Sequence, residues 1–178
     1  AGGNAGAGRS LAVGQEKLTG AVSPDSAGWR RAVSNGKGTA VLDRRKGLAY
    51  CGLACAVCGE ASCTGCRDGG CADGDRCVNR RCCVEKGLRG CWECDAFPCD
   101  APMLQKTRVR AFAAFAREYG EERLLACLEA GERAGLQYHY PGELTGDYDR
   151  PAGEAGVRAM LRRLTDGTDR TDRTRTGR

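Results

Sequence analysis

Twelve of the chain's thirteen cysteines lie between Cys51 and Cys99, most of them in short spacings that suit a metal ion. Three C-x-x-C pairs stand out: Cys55/Cys58, Cys63/Cys66 and Cys91/Cys94. Two intervening residues let one tight turn aim both sulfurs at a single ion about 2.3 Å away, in tetrahedral geometry. One such pair says little, but three in so short a stretch say a good deal. A disulfide framework competes, because twelve is even and the density suits a small secreted domain. That framework needs an oxidising compartment, and residues 1–9 show neither a charged n-region nor an apolar h-region. The expectation is therefore metal ligation in a cytoplasmic setting.

Charge is distributed unevenly. Residues 1–50 hold eight Lys/Arg against three Asp/Glu, residues 51–99 six against seven, and residues 100–178 fourteen against thirteen. The formal net charge of +5 thus belongs to the N-terminal segment and not to the cysteine block. Metal would make the block more negative still, since four thiolates around a divalent ion sum to about −2. Nucleic-acid binding wants a concentrated basic face at the site, and the block offers none. No apolar run approaches the roughly 18 residues of a membrane span. Neither nucleic acid nor membrane is an expected partner, which leaves a protein or a small molecule.

Residues 1–47 begin with the low-complexity run AGGNAGAGRS and continue without a sustained period of two or 3.6. Such a stretch buries too little apolar surface to offset its ordering entropy. It is expected to be disordered or a non-native extension, with natural translation starting near Val41 or Leu48. No Met precedes Met103. Residues 165–178, TDGTDRTDRTRTGR, offer nothing apolar to pack and are expected to form a disordered tail.

Residues 48–164 then form the folded domain, with the cysteine block at 50–99 and helices at 100–164. Asp100 is placed to cap the first helix, with Pro102 in its first turn. Leu104, Thr107, Ala111 and Phe115 follow a helical stripe toward Gly120. A second helix spans about Glu121 to Ala134, with Leu124, Cys127, Leu128 and Gly131 on one face and Gly135 as its left-handed cap. A third starts near Pro151 and carries Val157, Met160, Leu161 and Leu164. The expected fold is small, mainly α and metal-stapled: a Cys-rich knuckle region followed by about three helices, between disordered ends.

The opening Cys51-Gly-Leu-Ala-Cys55-Ala-Val-Cys58 has the C-x3-C-x2-C spacing that holds a [4Fe–4S] cluster in radical S-adenosylmethionine enzymes. Those enzymes set the loop after the first strand of a long βα barrel, and no such strands follow here. A closer resemblance comes from the whole run. Tyr50-Cys51-Gly52-Leu53 opens it, and Cys63-Thr64-Gly65-Cys66 follows. Cys77 and Cys82 lead into Glu85-Lys86-Gly87, and Cys91, Glu93, Cys94, Phe97, Pro98 and Cys99 close it. This pattern resembles an uncharacterised family of small Cys-rich bacterial and archaeal proteins, domain of unknown function 3795. The resemblance implies metal binding and supplies no established reaction. It covers ten thiols and leaves Cys71, Cys83 and Cys127 without a counterpart.

Ten thiols, Cys51, Cys55, Cys58, Cys63, Cys66, Cys77, Cys82, Cys91, Cys94 and Cys99, suit two four-ligand sites with a spare pair. Structural zinc is the expected occupant, in a protein that serves as an interaction or regulatory module. The alternative is a [4Fe–4S] cluster used in electron transfer or metal delivery. The sequence points away from an enzyme, because one histidine and no supporting fold signal allow no catalytic triad. Cys127 reads as a small core residue. Between the second and third helices, residues 138–149 gather His139, Tyr140, Asp147 and Tyr148. That loop is a candidate surface for a ligand or partner, although a packed loop that closes the helical core explains it more simply.

Overall fold

Apolar residues recurring at helical spacing account for most of the regular structure. The computed structural model describes residue 2 and residues 42–60 and 62–173, with side chains as far as residue 164. Among these are four α-helices, α1 (Val78–Glu85), α2 (Thr107–Tyr119), α3 (Glu121–Arg133) and α4 (Gly153–Arg173), joined by short 3₁₀ turns. No strand occurs among the described residues. Helices α2, α3 and α4 pack against one another in every pairing. Between them they bury Val109, Phe112, Phe115, Leu124, Leu128, Val157 and Leu161, each at most 1% exposed. Cys127 is fully buried among them, as its place on the apolar face of α3 predicts.

Two helix expectations need correction. The run from Asp100 to Gly120 is not one helix. Pro102–Gln105 is a separate 3₁₀ turn, and Lys106 breaks the run with an extended backbone (φ −82°, ψ 120°) before α2 begins. Asp100 caps neither element: the cap positions are Ala101 and Lys106, and neither has a side-chain cap bond. The break lets Leu104 bury completely ahead of the α2 stripe. The second miss is α1, whose sequence VNRRCCVE contains no apolar stripe beyond its thiols. Its buried face is Asn79 and Cys83, neither of which looks like core by composition.

The second helix matches expectation closely. It starts after Gly120 with Glu121 and Glu122 in its first turn, where acidic groups suit the helix dipole. At its C-terminal end Gly135 (φ 84°) sends its N–H to Glu132 O, and Leu136 reaches back to Gly131 O. Helix α4 extends to Arg173, through nine residues assigned by composition to the tail. Residues 174–178 of that segment lie outside the described residues, as do residue 1 and residues 3–41 of the N-terminal one.

Residues 42–47 are tied to the domain. Leu42 is buried, Asp43 N–H donates to Ala56 O at 2.8 Å, and Ala56 N–H to Gly47 O at 2.9 Å. Arg44 pairs with Glu122 (3.1 Å) and Glu129 (2.8 Å) on α3. The cysteine block and the helices share one continuous core, which runs from Leu48, Ala54 and Trp92 through Phe112 to Leu161. Three of the fixtures between the two parts show how they are joined. Arg67 Nε donates to Leu48 O (2.8 Å) and its Nη2 pairs with Glu121 of α3 (3.3 Å), while its guanidinium lies over the Tyr50 and Trp92 rings. Ala54 N–H donates to Tyr138 Oη at 3.0 Å. Gly52 lies against Ala113 of α2.

That last contact explains the opening Cys-Gly-Leu. Gly52 has φ 99°, and a Cβ there would stand 3.0–3.2 Å from Ala113 atoms. The position demands both a left-handed backbone and a missing side chain, which only glycine supplies.

Candidate metal centre

The C-x-x-C pairs are built on turns that suit them. Cys55–Val57 and Cys91–Glu93 are both single 3₁₀ turns. In each, the second cysteine's N–H donates to the first cysteine's carbonyl, Cys58 to Cys55 and Cys94 to Cys91, at 3.1 Å. With three residues per turn, side chains at i and i+3 eclipse, so both sulfurs of a pair leave on one side. The middle pair, Cys63/Cys66, has a different loop. Gly65 sits at φ 103° with its Cα facing the Lys46 backbone, where a Cβ would come within 3.2 Å of Lys46 O. Cys63 Sγ donates across that loop to Gly70 O at 3.2 Å.

All thirteen cysteines are free thiols. Cys51, Cys55, Cys66, Cys83 and Cys91 are buried, Cys58, Cys63, Cys77, Cys82 and Cys94 half-buried, and Cys71 and Cys99 exposed. They fall into two neighbourhoods. Around Cys55 stand Cys66, Cys58 and Cys63, close enough for charge on any of them to be felt there. The first two C-x-x-C pairs thus share a neighbourhood without closing on one centre. Around Cys91 and Cys83 stand Cys82, Cys94 and Cys99. Cys51 lies between the two sets, within reach of Cys66, Cys77 and Cys91.

Burial dominates the thiol electrostatics. It pushes Cys51 up to about 12 and Cys55 up to about 11, with smaller rises from neighbouring sulfurs. Cys66, Cys83 and Cys91 are raised for the same reason. Backbone N–H groups oppose this at three sulfurs: Leu53 at Cys51, Cys66 at Cys55 and Tyr50 at Cys66. An N–H aimed at sulfur favours the thiolate over the thiol.

Two groups that spacing alone did not single out belong to this site. Asn79 is 1% exposed. Its Nδ2 donates to Cys91 Sγ at 3.4 Å, and its Oδ1 accepts from Met103 N–H at 3.3 Å. One buried amide thereby ties α1, the Cys91 turn and the Pro102–Gln105 turn together. Lys86 approaches Cys94 Sγ at 3.7 Å and also neighbours Cys82, and the two sulfurs raise its pKa. An ammonium there offsets thiolate charge at the outer edge of the second neighbourhood. The only hint of either was the Glu-Lys-Gly that follows Cys83.

The aromatic loop is fastened at nearly every polar group. Tyr148 is 2% exposed, edge-on to Phe112 at 5.5 Å between ring centroids. Gly131 of α3 leaves room for its hydroxyl, which any Cβ there would strike. Tyr140 Oη donates to Asp147 Oδ1 at 2.6 Å, and Asp147 Oδ2 accepts from Gln137 N–H at 2.8 Å. Asp149 accepts from Gly146 N–H and pairs with the buried Arg108 at 2.7 Å. His139 packs tilted against the Tyr138 ring and lies 3.4 Å from Arg108 Nη2. Tyr138 is the loop's link to the Cys55 turn, through its bond to Ala54. The loop therefore lies beside the cysteine block, but His139, Tyr140, Asp147 and Tyr148 spend their groups on the fold itself.

Among the described residues no three His, Cys, Asp or Glu side chains converge as a closed ion cage. The thiols stand instead as pairs within larger neighbourhoods. The donor set nonetheless fits a thiophilic ion: only sulfur is offered, the pairs leave their turns on one side, and backbone N–H groups and Lys86 stand ready to neutralise thiolate charge.

No helix among the described residues is long and apolar enough to cross a membrane. No curated protein and no solved structure matches the chain. A family match does exist. It starts one residue after Cys58, takes in Cys63, Cys66, Cys77, Cys82, Cys91, Cys94 and Cys99, and ends at Met103. Cys51, Cys55 and Cys58 fall just outside it. Residues 59–103 match the model of the family described as Protein of unknown function (DUF3795).

Proposed function

We propose that this protein binds one or two metal ions through cysteine thiolates and works as a small cytoplasmic interaction or regulatory module stapled by those ions. Zinc is the favoured occupant. Cys55, Cys58, Cys63 and Cys66 would hold one ion, and the other ligands would come from Cys51, Cys77, Cys82, Cys91, Cys94 and Cys99. The observation that carries this reading is the repeated turn: Cys55–Val57 and Cys91–Glu93 adopt the same 3₁₀ geometry, each with the second cysteine of its pair at the cap three residues on. Zinc suits closed sites made only of thiolate and contributes folding energy directly. When bound, the ion supplies charge that holds the sulfurs deprotonated and links segments that lack a large apolar core of their own.

A second reading replaces zinc with a [4Fe–4S] cluster for electron transfer or metal delivery. What favours it is Cys51, buried beside the Cys66 neighbourhood and preceding Cys55 and Cys58 in cluster-like spacing. Metal analysis and a visible spectrum of anaerobically purified protein separate the two. Zinc predicts a colourless protein with one or two equivalents of zinc, and a cluster predicts a brown one with iron and sulfide. Protein that carries neither, and takes up neither on reconstitution, would remove both readings.

A further inference from the structure

Helix α1 presents two thiols in succession, Cys82 and Cys83, and consecutive side chains on a helix point about 100° apart. They cannot both face the same ion with equal ease. The resemblance read from the sequence matches the first. The geometry points to the second.

Cys83 is 1% exposed, and its Sγ lies 3.7 Å from Cys91 Sγ. A tetrahedron with metal–sulfur bonds of about 2.3 Å has a sulfur–sulfur edge of about 3.8 Å. The two buried sulfurs thus already stand one coordination edge apart. A second observation supports them. Asn79, four residues before Cys83 on the same helical face, donates its buried Nδ2–H to Cys91 Sγ at 3.4 Å. Side-chain amide donors of this kind hold a ligating sulfur in place and take up part of its charge. The face carrying Cys82 differs. Its i+4 neighbour is Lys86, whose ammonium sits between Cys82 and Cys94 near the surface.

We propose that Cys83 and Cys91 are two thiolates on one thiophilic divalent cation, with Cys82 left outside the coordination sphere beside Lys86. This rests on the metal-binding reading and reassigns one ligand within it. Loading replaces the Cys83 and Cys91 thiol protons, which leave to solvent.

The test uses the full-length chain loaded with ¹¹³Cd, whose coupling to cysteine β-protons identifies each ligand without any mutation. The expected result is that the β-protons of Cys83 and Cys91 correlate with the same cadmium resonance while those of Cys82 correlate with none. Cadmium bound through Cys82 and Cys91, with Cys83 silent, would overturn the proposal and leave the metal-binding reading intact. In that case the 3.7 Å approach is only a thiol–thiol contact. No cadmium uptake by the wild-type chain would overturn both. As a second measurement, Cys83→Ser should lower bound metal by one equivalent per chain, and Cys82→Ser should leave it unchanged; the reverse pattern would also overturn the assignment.

Discussion

The cysteine block and the helical region are parts of one core, yet they are held together by different means. Residues 104–161 bury Leu104, Phe112, Phe115, Leu124, Leu128, Tyr148 and Leu161, large side chains worth about 1.5–3 kcal/mol each on burial. What residues 48–99 bury is mostly Ala and Cys, with Leu48, Val57 and Trp92 the larger exceptions. Among its described residues one α-helix of eight residues stands, with turns closed by isolated hydrogen bonds such as Cys91 N–H to Tyr50 O (2.7 Å). A region that depends on area keeps its structure when a ligand leaves. One that depends on thiols and turns needs something to hold the thiols.

The sharpest way to break that contrast is to strip metal from the loaded protein with a strong chelator. The block should open cooperatively while the helices persist. In hydrogen exchange, the amides of Cys58, Cys91 and Cys94 should lose most of their protection, and those in the middle of α2 and α3 should keep theirs. Equal loss in both regions would show that they stand or fall as one unit. Unchanged exchange in the block after complete metal removal would show that it needs no ion.

Single substitutions come next. Cys91→Ser or Cys94→Ser removes a ligand and leaves an incomplete, charged site, so bound metal should fall by one equivalent with a matching drop in melting temperature. Cys127→Ser, in the fully buried wall of α3, should cost about 1–3 kcal/mol through an unpaired buried hydroxyl and leave the metal count alone. Similar metal loss in all three variants would mean that the ligands are wrongly assigned.

How much of this was legible in the sequence follows from the same contrast. Helix α3 was readable because Leu124, Leu128 and Gly131 repeat at its period and Gly120 and Gly135 bracket it. The Lys106 break was not, because Leu104 fits the α2 stripe and nothing at Lys106 or Thr107 forbids a helix. Helix α1 escaped because its buried face is an amide and a thiol, which periodicity counts as polar and ligand. The C-x-x-C pairs were plain from spacing, but the grouping of Cys55 with Cys63 and Cys66 depends on how the chain returns on itself. The roles of Asn79 and Lys86 depend on α1 being a helix at all. The aromatic loop was visible as an unusual composition. Its use, with Tyr140 closing on Asp147 and Asp149 on Arg108, is a matter of hydrogen-bond geometry that no single-sequence pattern carries.

That loop offers a smaller test on the helical side. Arg108 is 6% exposed and donates to the carbonyls of Tyr138 (2.9 Å) and Leu144 (3.0 Å) as well as to Asp149. Arg108→Met keeps the stem and removes the charge. It should cost about 3 kcal/mol, near the low end for stripping one partner from a buried pair, because Asp149 keeps 30% of its side chain exposed. Denaturant unfolding reads the loss. Metal content should not move, and a fall in it would mean that the loop supports the thiols through Tyr138 and Ala54 more strongly than the contrast between regions allows.

The smallest expected effect is a pH dependence confined to the same corner. Burial lowers the pKa of His139 below the ordinary imidazole value of 6.5, and the nearby Arg108 guanidinium lowers it further, against a weaker opposing pull from Asp149. The folded protein therefore holds a neutral ring where the unfolded chain already takes a proton. Its stabilising contribution is complete above pH 6.5 and declines as pH falls from there through the depressed folded value, below which both states are protonated and the loss stops growing. Acid acts on the cysteine block too, since protons compete with metal for thiolates, so the total pH profile cannot isolate the histidine. The difference between wild type and His139→Gln can. With metal saturating in both, the gap in unfolding free energy should change across that window and be constant above it. A gap constant from pH 7 to pH 4 would mean that burial and the Arg108 guanidinium do not hold the ring neutral in the folded protein.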